Sequence, residues 1–349
     1  ALILLIIFLR IVLSDLKNKE AIAHTNRLLQ VNENELQALN GAYFQFDDGI
    51  KYAPKEHSYA ADMDVFGHAS LYQYINRTTS DMGSSTLAAW LLQPALKEVV
   101  DDRQQAVREL KDKCYWRQEV EARGIEARIS EQTKQRLLEW IHEPSQFIGF
   151  KPWQWLRYLL PLISSGVAVS VAAGWAPLSF LYASLLVFGM IAYQLNKIIA
   201  PIHNKLSKMT AEIDVLSQST SLIEQESFNA ALLKNIQAQF KCEGTMASAR
   251  IKRLKRILDK LDMRYNIVVS APLNLHVLWN LQHVLELEKW KTEQKEKIAD
   301  WFEALGKLEA LNSFATLYFN HPGWCMPSLE HDYFYIEATT LGHPLIPAS

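Results

Sequence analysis

Glycine and proline are scarce in this chain of 349 residues, with 13 and 12 copies. So few helix breakers exclude collagen-like and low-complexity sequences and most many-stranded β folds, and they favour long helices. Cysteine is scarcer still, because Cys114, Cys242 and Cys325 lie far apart without a CxxC pair. This usage excludes a disulfide scaffold and a zinc knuckle. The formal net charge of -2 gives no global preference for nucleic acid, so any basic site must be local.

The chain also lacks the common catalytic and nucleotide-binding motifs. It contains no GxxxxGK[ST], GxGxxG, GxSxG or HExxH pattern, and its ten histidines do not follow metal-ligand spacing. We therefore predict no catalytic residue, no metal ligand and no cofactor-binding residue within this chain.

One long stretch lacks charge altogether. Residues 158 to 196 contain no Asp, Glu, Lys or Arg, and these 39 residues suffice for two membrane spans. Gly174 to Pro177 suits a turn between antiparallel helices. Lys151 and Arg157 precede the stretch and Lys197 follows it, so both ends are expected in the cytoplasm. The alternative is a buried helical hairpin of a soluble protein.

Apolar residues also dominate the first 13 positions, broken only by Arg10. Thirteen residues are too few for a span, so we interpret residues 1–16 as the end of an N-terminal transmembrane helix. The remaining sequence predicts a mainly α-helical protein with short β elements near both ends. Alternating aromatic and polar residues in Gly41–Tyr59 indicate a β-hairpin or an extended linker, and Tyr333–Ile336 resembles a strand.

A local basic segment lies between Arg250 and Arg264, with seven cationic residues in fifteen. Apolar residues recur at helical spacing within it, which predicts one amphipathic helix. Three functions compete: contact with nucleic-acid phosphates, attraction to anionic lipid, and pairing with an acidic protein. A solvated helix face is the simplest alternative. The residues proposed for a DNA-binding row are Arg250, Arg253, Arg256 and Lys260. The alternating charges of Glu286–Lys297 predict a merely exposed helix.

A short motif then carries a family resemblance. Its residues are Met82, Gly83, Leu87, Trp90, Leu91 and Pro94, followed by Arg103 and Gln104 at the next helix. At this spacing the segment resembles the core of the MutS family. Residues 308–315 are similar to the helix that ends the MutS core, and His343-Pro344 is similar to the entrance of its ATPase domain. The nearest fit is the membrane-anchored MutS-like subgroup of bacteria.

The resemblance implies a helical core-and-lever domain that leads into an ABC-type ATPase domain. It also implies a homodimer on DNA, with ATP and Mg²⁺ bound by Walker motifs expected beyond Ser349. The implied location is the bacterial inner membrane, with the soluble mass in the cytoplasm and the hairpin in the lipid bilayer. The alternative function is a membrane scaffold whose levers move a protein partner without DNA.

These observations predict six segments. They are the end of a transmembrane helix (1–16), a linker (17–57), the first part of the core and lever (58–150), the transmembrane hairpin (151–200), returning lever and core helices (201–320), and the start of an ATPase domain (321–349).

Overall fold

The fold is mainly helical, as the sequence predicted, with 73% of residues in helices and 2% in strands. The computed structural model describes residues 2–145, 147, 152–242, 244–330 and 336–346. The helices are α1 (Leu2–Leu39), α2 (Leu71–Ile75), α3 (Asp81–Leu92), α4 (Lys97–Asp112), α5 (Cys114–Glu126), α6 (Glu131–His142), α7 (Pro152–Ala172), α8 (Leu178–Ser207), α9 (Thr210–Gln225), α10 (Ala231–Gln239), α11 (Ala247–Asp262), α12 (Ile267–Val277), α13 (Trp279–Gln294) and α14 (Ile298–Asn320).

The chain divides into two compact units, each assembled from separate stretches of sequence. Unit 1 comprises residues 1–131, 218–244 and 300–349, and unit 2 comprises residues 132–217 and 245–299. Helix α1 runs without interruption through residues 16 and 17, where the sequence suggested a boundary between membrane helix and linker. The predicted six segments otherwise stay a prediction.

Unit 1 is held together by contacts between residues far apart in sequence. Helix α1 packs along α5, where Arg27 Nη2 lies 2.8 Å from Glu126 Oε2. Its core includes the fully buried side chains of Leu87, Tyr72 and Ala310, which bring α3, α2 and α14 together. Trp301, at the start of α14, is also fully buried. Burial of such large apolar side chains is the main stabilising contribution to a helical core.

Unit 2 contains the apolar hairpin. Helices α7 and α8 are antiparallel neighbours joined at residues 173–177, as predicted, and α12 packs against both. Both are long and apolar enough to cross a membrane, and only 6% and 11% of their most apolar windows are buried. The helix of a soluble core would instead be mostly buried. Elsewhere in unit 2, Trp140 stacks on Trp290 with ring centroids 6.3 Å apart.

Of the two alternatives for Gly41–Tyr59, the β-hairpin is wrong, because the structure has no strand there. Residues 41–59 form turns and a single 3₁₀ turn, Ile50–Tyr52, because Asp47 Oδ1 and Asp48 Oδ1 accept the backbone N–H groups of Gly49 and Ile50. Such side-chain bonds compete with strand pairing. Residues 333–335 lie outside the described part of the chain. The described strands are the two-residue segments β1 (Lys241–Cys242) and β2 (Thr245–Met246), which lie between α10 and α11.

Candidate functional site

The motif behind the family resemblance lies at the start of α3, where it meets α14. Ser80 caps α3, since its side chain accepts the N–H of Gly83. The Glu309 carboxylate, on α14, accepts hydrogen bonds from the Ser80 N–H (3.1 Å), the Ser80 hydroxyl (2.6 Å) and the Thr79 hydroxyl (2.8 Å). Burial raises the pKa of Glu309, and these three hydrogen bonds oppose that shift. An acidic side chain at a helix N-terminus is favoured by the helix dipole.

The glycine of the motif permits this contact. A Cβ atom on Gly83 would lie 2.1 Å from Glu309 Oε2 and 2.8 Å from Glu309 Cβ. On the opposite helix, a Cβ on Gly306 would lie 2.9 Å from the backbone carbonyl of Met82. Two glycines therefore let α3 and α14 approach at backbone distance, and no other residue type fits either position without movement.

The remaining motif residues continue this interface along α3. Met82 and Leu87 are buried, whereas Trp90 and Leu91 are only partly buried against the same cluster. Helix α3 ends at Leu92, two residues before Pro94. The motif thus forms one packed surface, which we call the motif cluster.

Arg103 and Gln104 open the second half of the motif. Their side chains contact neighbouring segments and do not fill the core. The guanidinium carbon of Arg103 lies 3.9 Å from the centroid of the Trp90 ring, which also stacks on Phe314. Gln104 donates its amide N–H to the carbonyl of Pro327 at 2.8 Å. These contacts tie α4 to α3 and to the segment after α14. They surround an apolar cavity of about 310 Å³.

A charged cluster lies close to Glu309 in unit 1. Arg77 forms an ion pair with Glu35 and donates from Nη2 to Glu35 Oε2 at 3.2 Å. Arg77, Arg117, Glu121 and Glu309 line one small cavity. Burial, reinforced by the nearby negative charge of Glu35, raises the pKa of Glu121 to about 8. The positive charges of Arg77 and Arg117 oppose this rise in the pKa of Glu121, and the protonated form is favoured at neutral pH.

This shift predicts a pH dependence of stability. The pKa of Glu121 rises on folding from its ordinary 4.5 to about 8, so folding takes up a proton between these values. Stability is therefore lost as the pH rises through that window. We expect Glu121→Gln to raise the urea midpoint at pH 9 and to leave it nearly unchanged at pH 5. The exposed Glu56→Gln should change neither midpoint, and an equal effect of both variants would contradict the assignment.

The basic segment forms α11 in unit 2, and its predicted amphipathic character is confirmed. The apolar side chains all face inward and are at most 2% exposed; they are Ile251, Leu254, Ile257, Leu258 and Leu261. The cationic side chains lie on the other face. Their stems cover part of the helix while their charges reach water.

The four residues proposed for the DNA-binding row are not equivalent. Arg250 donates to Thr245 Oγ1 (2.7 Å) and Gln294 Oε1 (3.0 Å). Arg253 pairs with Glu286 (3.2 Å) and Glu293 (3.3 Å) from α13. Their hydrogen-bonding capacity is thus partly used within unit 2. Sequence spacing could not reveal this, because the acidic partners lie 33 and 40 residues further along the chain.

Three cations on α11 remain exposed. Lys252, Arg256 and Lys260 follow each other at intervals of four residues, so they lie along one face of the helix. Within the described residues, none of the three has an acidic side chain within 4.0 Å. We call these three residues the cation row. Only Arg256 and Lys260 belong to the row that the sequence suggested.

His343 and Pro344, the residues similar to the ATPase entrance, lie in a short turn near the end of the chain. His343 Nδ1 accepts the N–H of Leu345 at 3.3 Å, and the His343 side chain is exposed. In the described part of the chain, no group of three His, Cys, Asp or Glu side chains is arranged to hold a metal ion.

Comparison with known proteins assigns no family to this chain. No family model, curated protein or solved structure matches this chain. The observations define a mainly helical protein with two helices that are long and apolar enough to cross a membrane.

Proposed function

We propose that this chain is the core-and-lever region of a membrane-anchored MutS-like ATPase that binds mismatched or structured DNA under the control of ATP. The observation that carries the proposal is the motif cluster. Leu87 and Trp90 pack α3 against α14, Arg103 ties α4 to Trp90, and Gly83 has a steric reason to be glycine. ATP and Mg²⁺ would act in the expected ATPase domain, and the protein would work as a homodimer in DNA repair or a related process.

The lever part of the proposal concerns long helices that transmit motion. A rigid helix can carry a displacement from a nucleotide site to a distant binding site as a rigid body. Helix α14 (Ile298–Asn320) is the candidate for this rigid lever helix. It is joined to α3 through Glu309, and it leads into the segment that precedes His343. A change at the ATPase entrance would then act on the motif cluster.

The membrane anchor is supported by composition and exposure. Helices α7 and α8 expose large apolar side chains such as Leu162, Phe180 and Leu186. In water these side chains would form an apolar patch far larger than those of ordinary soluble surfaces. The flanking cations Arg157 and Lys197 support a cytoplasmic location for both ends of the hairpin by the positive-inside rule. For a MutS-like protein this membrane is the bacterial inner membrane.

The cation row supports a phosphate-binding role for α11. Lys252, Arg256 and Lys260 present three charges along one line, and none of them forms an ion pair within the part of the chain that the structure describes. Such a row can follow a nucleic-acid backbone without reading bases. It fits binding that depends on DNA shape rather than on sequence.

This role predicts the effect of reversing two charges. We expect the double variant Lys252→Glu and Arg256→Glu to bind duplex DNA more than about tenfold more weakly, and its logarithmic salt dependence to flatten by about 2 units. Binding is measured by fluorescence anisotropy with the full chain in detergent. The matched control is Lys295→Glu with Lys297→Glu, which changes the net charge equally at exposed positions of the same unit.

The same variants decide between DNA and lipid. Weaker DNA binding with unchanged binding to anionic vesicles supports the proposal. An equal loss of DNA binding in the control variant would show that the effect comes from net charge and not from the cation row. Unchanged DNA binding by the cation-row variant would remove α11 from the site.

A membrane scaffold that moves a protein partner is the second candidate function. It is favoured by the pairing of Arg253 with α13 and of Lys255 with Asp214 at 2.8 Å, since both cations serve cohesion within unit 2. A scaffold needs no phosphate contacts, so its partner binding would depend weakly on salt. DNA binding that is absent at low salt would favour this candidate.

A further inference from the structure

A polar cavity lies beside the apolar hairpin in unit 2. It has a volume of about 460 Å³, which is within the range of about 300–1,000 Å³ typical of small-molecule sites. Its walls come from α8, α12, the start of α13 and the turn before α12. The residues that matter for its chemistry are Arg264, Ser270, Asn274 and Asn280. We call it the α12 cavity.

The cavity lies along the apolar part of the hairpin, since α12 runs beside α8. At one end Arg264 donates to Asn204 near the end of α8, and at the other Leu275 lies against Gly189 in its middle. Further along, His276 Nδ1 lies 2.8 Å from Ser164 Oγ, halfway along α7. No charged residue occurs between Arg264 and Glu286. Helix α12 therefore accompanies the hairpin to about half its depth.

The chain turns back at this depth. Leu278 adopts a left-handed conformation (φ 50°) between α12 and α13, and Gln282 then donates to the carbonyl of Arg157 near the start of α7. Helices α12 and α13 thus enter and leave on the side where the hairpin begins and ends. If the hairpin spans the bilayer, the α12 cavity opens at the headgroup level of the cytoplasmic leaflet.

Two polar groups in the cavity have unused hydrogen-bonding capacity. Arg264 uses Nη2 for Asn204 and Tyr265, while Nη1 is buried without a partner among the described residues. Asn280 is 8% exposed, and its Oδ1 also lacks a partner there. Asn274 differs, because it caps α13 through the Asn280 N–H at 3.0 Å and donates to Ser270 O. Buried polar groups without partners are costly, most of all at membrane depth.

We propose that the α12 cavity binds a glycerol phosphodiester, the headgroup of an anionic phospholipid of the phosphatidylglycerol type. A phosphodiester oxygen accepts from Arg264 Nη1, and a headgroup hydroxyl donates to Asn280 Oδ1. The single guanidinium matches the single charge of a phosphodiester better than the double charge of a phosphomonoester. Basic pockets beside membrane helices on the cytoplasmic side suit anionic headgroups. The lipid as source rests on the proposed membrane anchoring.

The test is lipid binding by the full chain in neutral detergent, measured by native mass spectrometry. Phosphatidylglycerol is compared with phosphatidylcholine, which has the same phosphate but a cationic group instead of free hydroxyls. We expect phosphatidylglycerol to bind at least tenfold more tightly. Arg264→Gln and Asn280→Leu should each remove that preference. Lys208→Gln, which removes an exposed charge at the end of α8, is the matched control and should keep it.

Further arms separate folding and ligand source from the site itself. Arg264→Lys keeps the positive charge and should keep most of the binding, while melting of each variant without lipid verifies that it folds. Glycerophosphoglycerol, the headgroup without acyl chains, is added in water. Glycerophosphoglycerol that binds as tightly as phosphatidylglycerol, and whose binding is lost in the same variants, would support the site. Its ligand would then be a soluble phosphodiester.

Equal binding of the two lipids, or unchanged preference in both cavity variants, would overturn the proposal. The proposed anchoring fails by a different result, which is a hairpin that does not cross the membrane in labelling experiments. Binding of glycerophosphoglycerol by a protein whose hairpin does not span the membrane would support the phosphodiester site and contradict the membrane anchoring.

Discussion

Replacing Gly83 with alanine is expected to lower the free energy of unfolding of unit 1 by about 3 kcal/mol, since overpacking costs typically 1–3 kcal/mol and a lost buried hydrogen bond adds to it. The new Cβ would lie 2.1 Å from Glu309 Oε2, so the carboxylate must leave the Ser80 and Thr79 donors or the helices must separate. The measurement is urea unfolding of the full chain in detergent, followed by tryptophan fluorescence.

The control for this substitution is Gly323→Ala in the same unit, because a Cβ at Gly323 meets nothing within 4 Å and its φ is not positive. It should change the unfolding free energy by less than about 0.5 kcal/mol. A second test combines Gly83→Ala with Glu309→Ala. The double variant should lose less than the sum of the two single losses, because truncation of Glu309 removes part of the clash. Strict additivity would show that Gly83 and Glu309 do not meet.

Local features of the sequence predicted local features of the structure well. The uncharged stretch after Arg157 gives two helices with a turn at Gly174, whose φ of 75° suits glycine. Ser80 caps α3, and the apolar spacing of α11 gives a buried face. In each case the signal is a short-range pattern, such as helical periodicity or an N-cap residue, and neighbouring residues suffice to produce it.

Long-range polar contacts could not be predicted in the same way. Glu309 meets Ser80 across 229 residues, and nothing in either neighbourhood marks the pair. The alternating charges of Glu286–Lys297 suggested an exposed helix, but Glu288 and Lys291 are 4% and 5% exposed. Glu288 accepts the N–H of Phe147 at 2.9 Å, and Lys291 lies over the ring of Trp140. Tertiary partners, rather than local charge pattern, decide burial here.

The α12 cavity shows the same limit within the candidate site. Arg264 belongs to the basic segment by sequence, yet it lies beyond α11 and turns towards Asn204 on α8. The uncharged stretch from Tyr265 to Leu285 is broken at Leu278, so neither half is long enough to indicate a span. Only tertiary packing of α12 and α13 against α7 and α8 relates this stretch to the hairpin. The charge-free interval itself is the sequence signal that could have suggested it.

The hairpin itself makes the second large prediction. A cysteine at Ser179, just after the turn, is expected to react with a membrane-impermeant maleimide added to intact bacterial cells. A cysteine at Lys208, which follows the last residue of α8, should react only after the cells are made permeable. Both positions are exposed in the structure, so the difference reports the membrane and not burial. Cys114, Cys242 and Cys325 are first replaced by serine, because Cys325 is exposed and would react after permeabilisation.

The expected contrast is nearly complete labelling against nearly none, because a bilayer about 30 Å thick separates the two positions if α8 spans it. The 30 residues of α8 rise about 45 Å at 1.5 Å per residue, which leaves room for a span and for an extension that carries Lys197 and ends just before Lys208. Labelling of both cysteines only after permeabilisation would place the hairpin inside the cell. In that case the exposed apolar faces of α7 and α8 would need a protein partner, and the scaffold function would gain over DNA binding at a membrane.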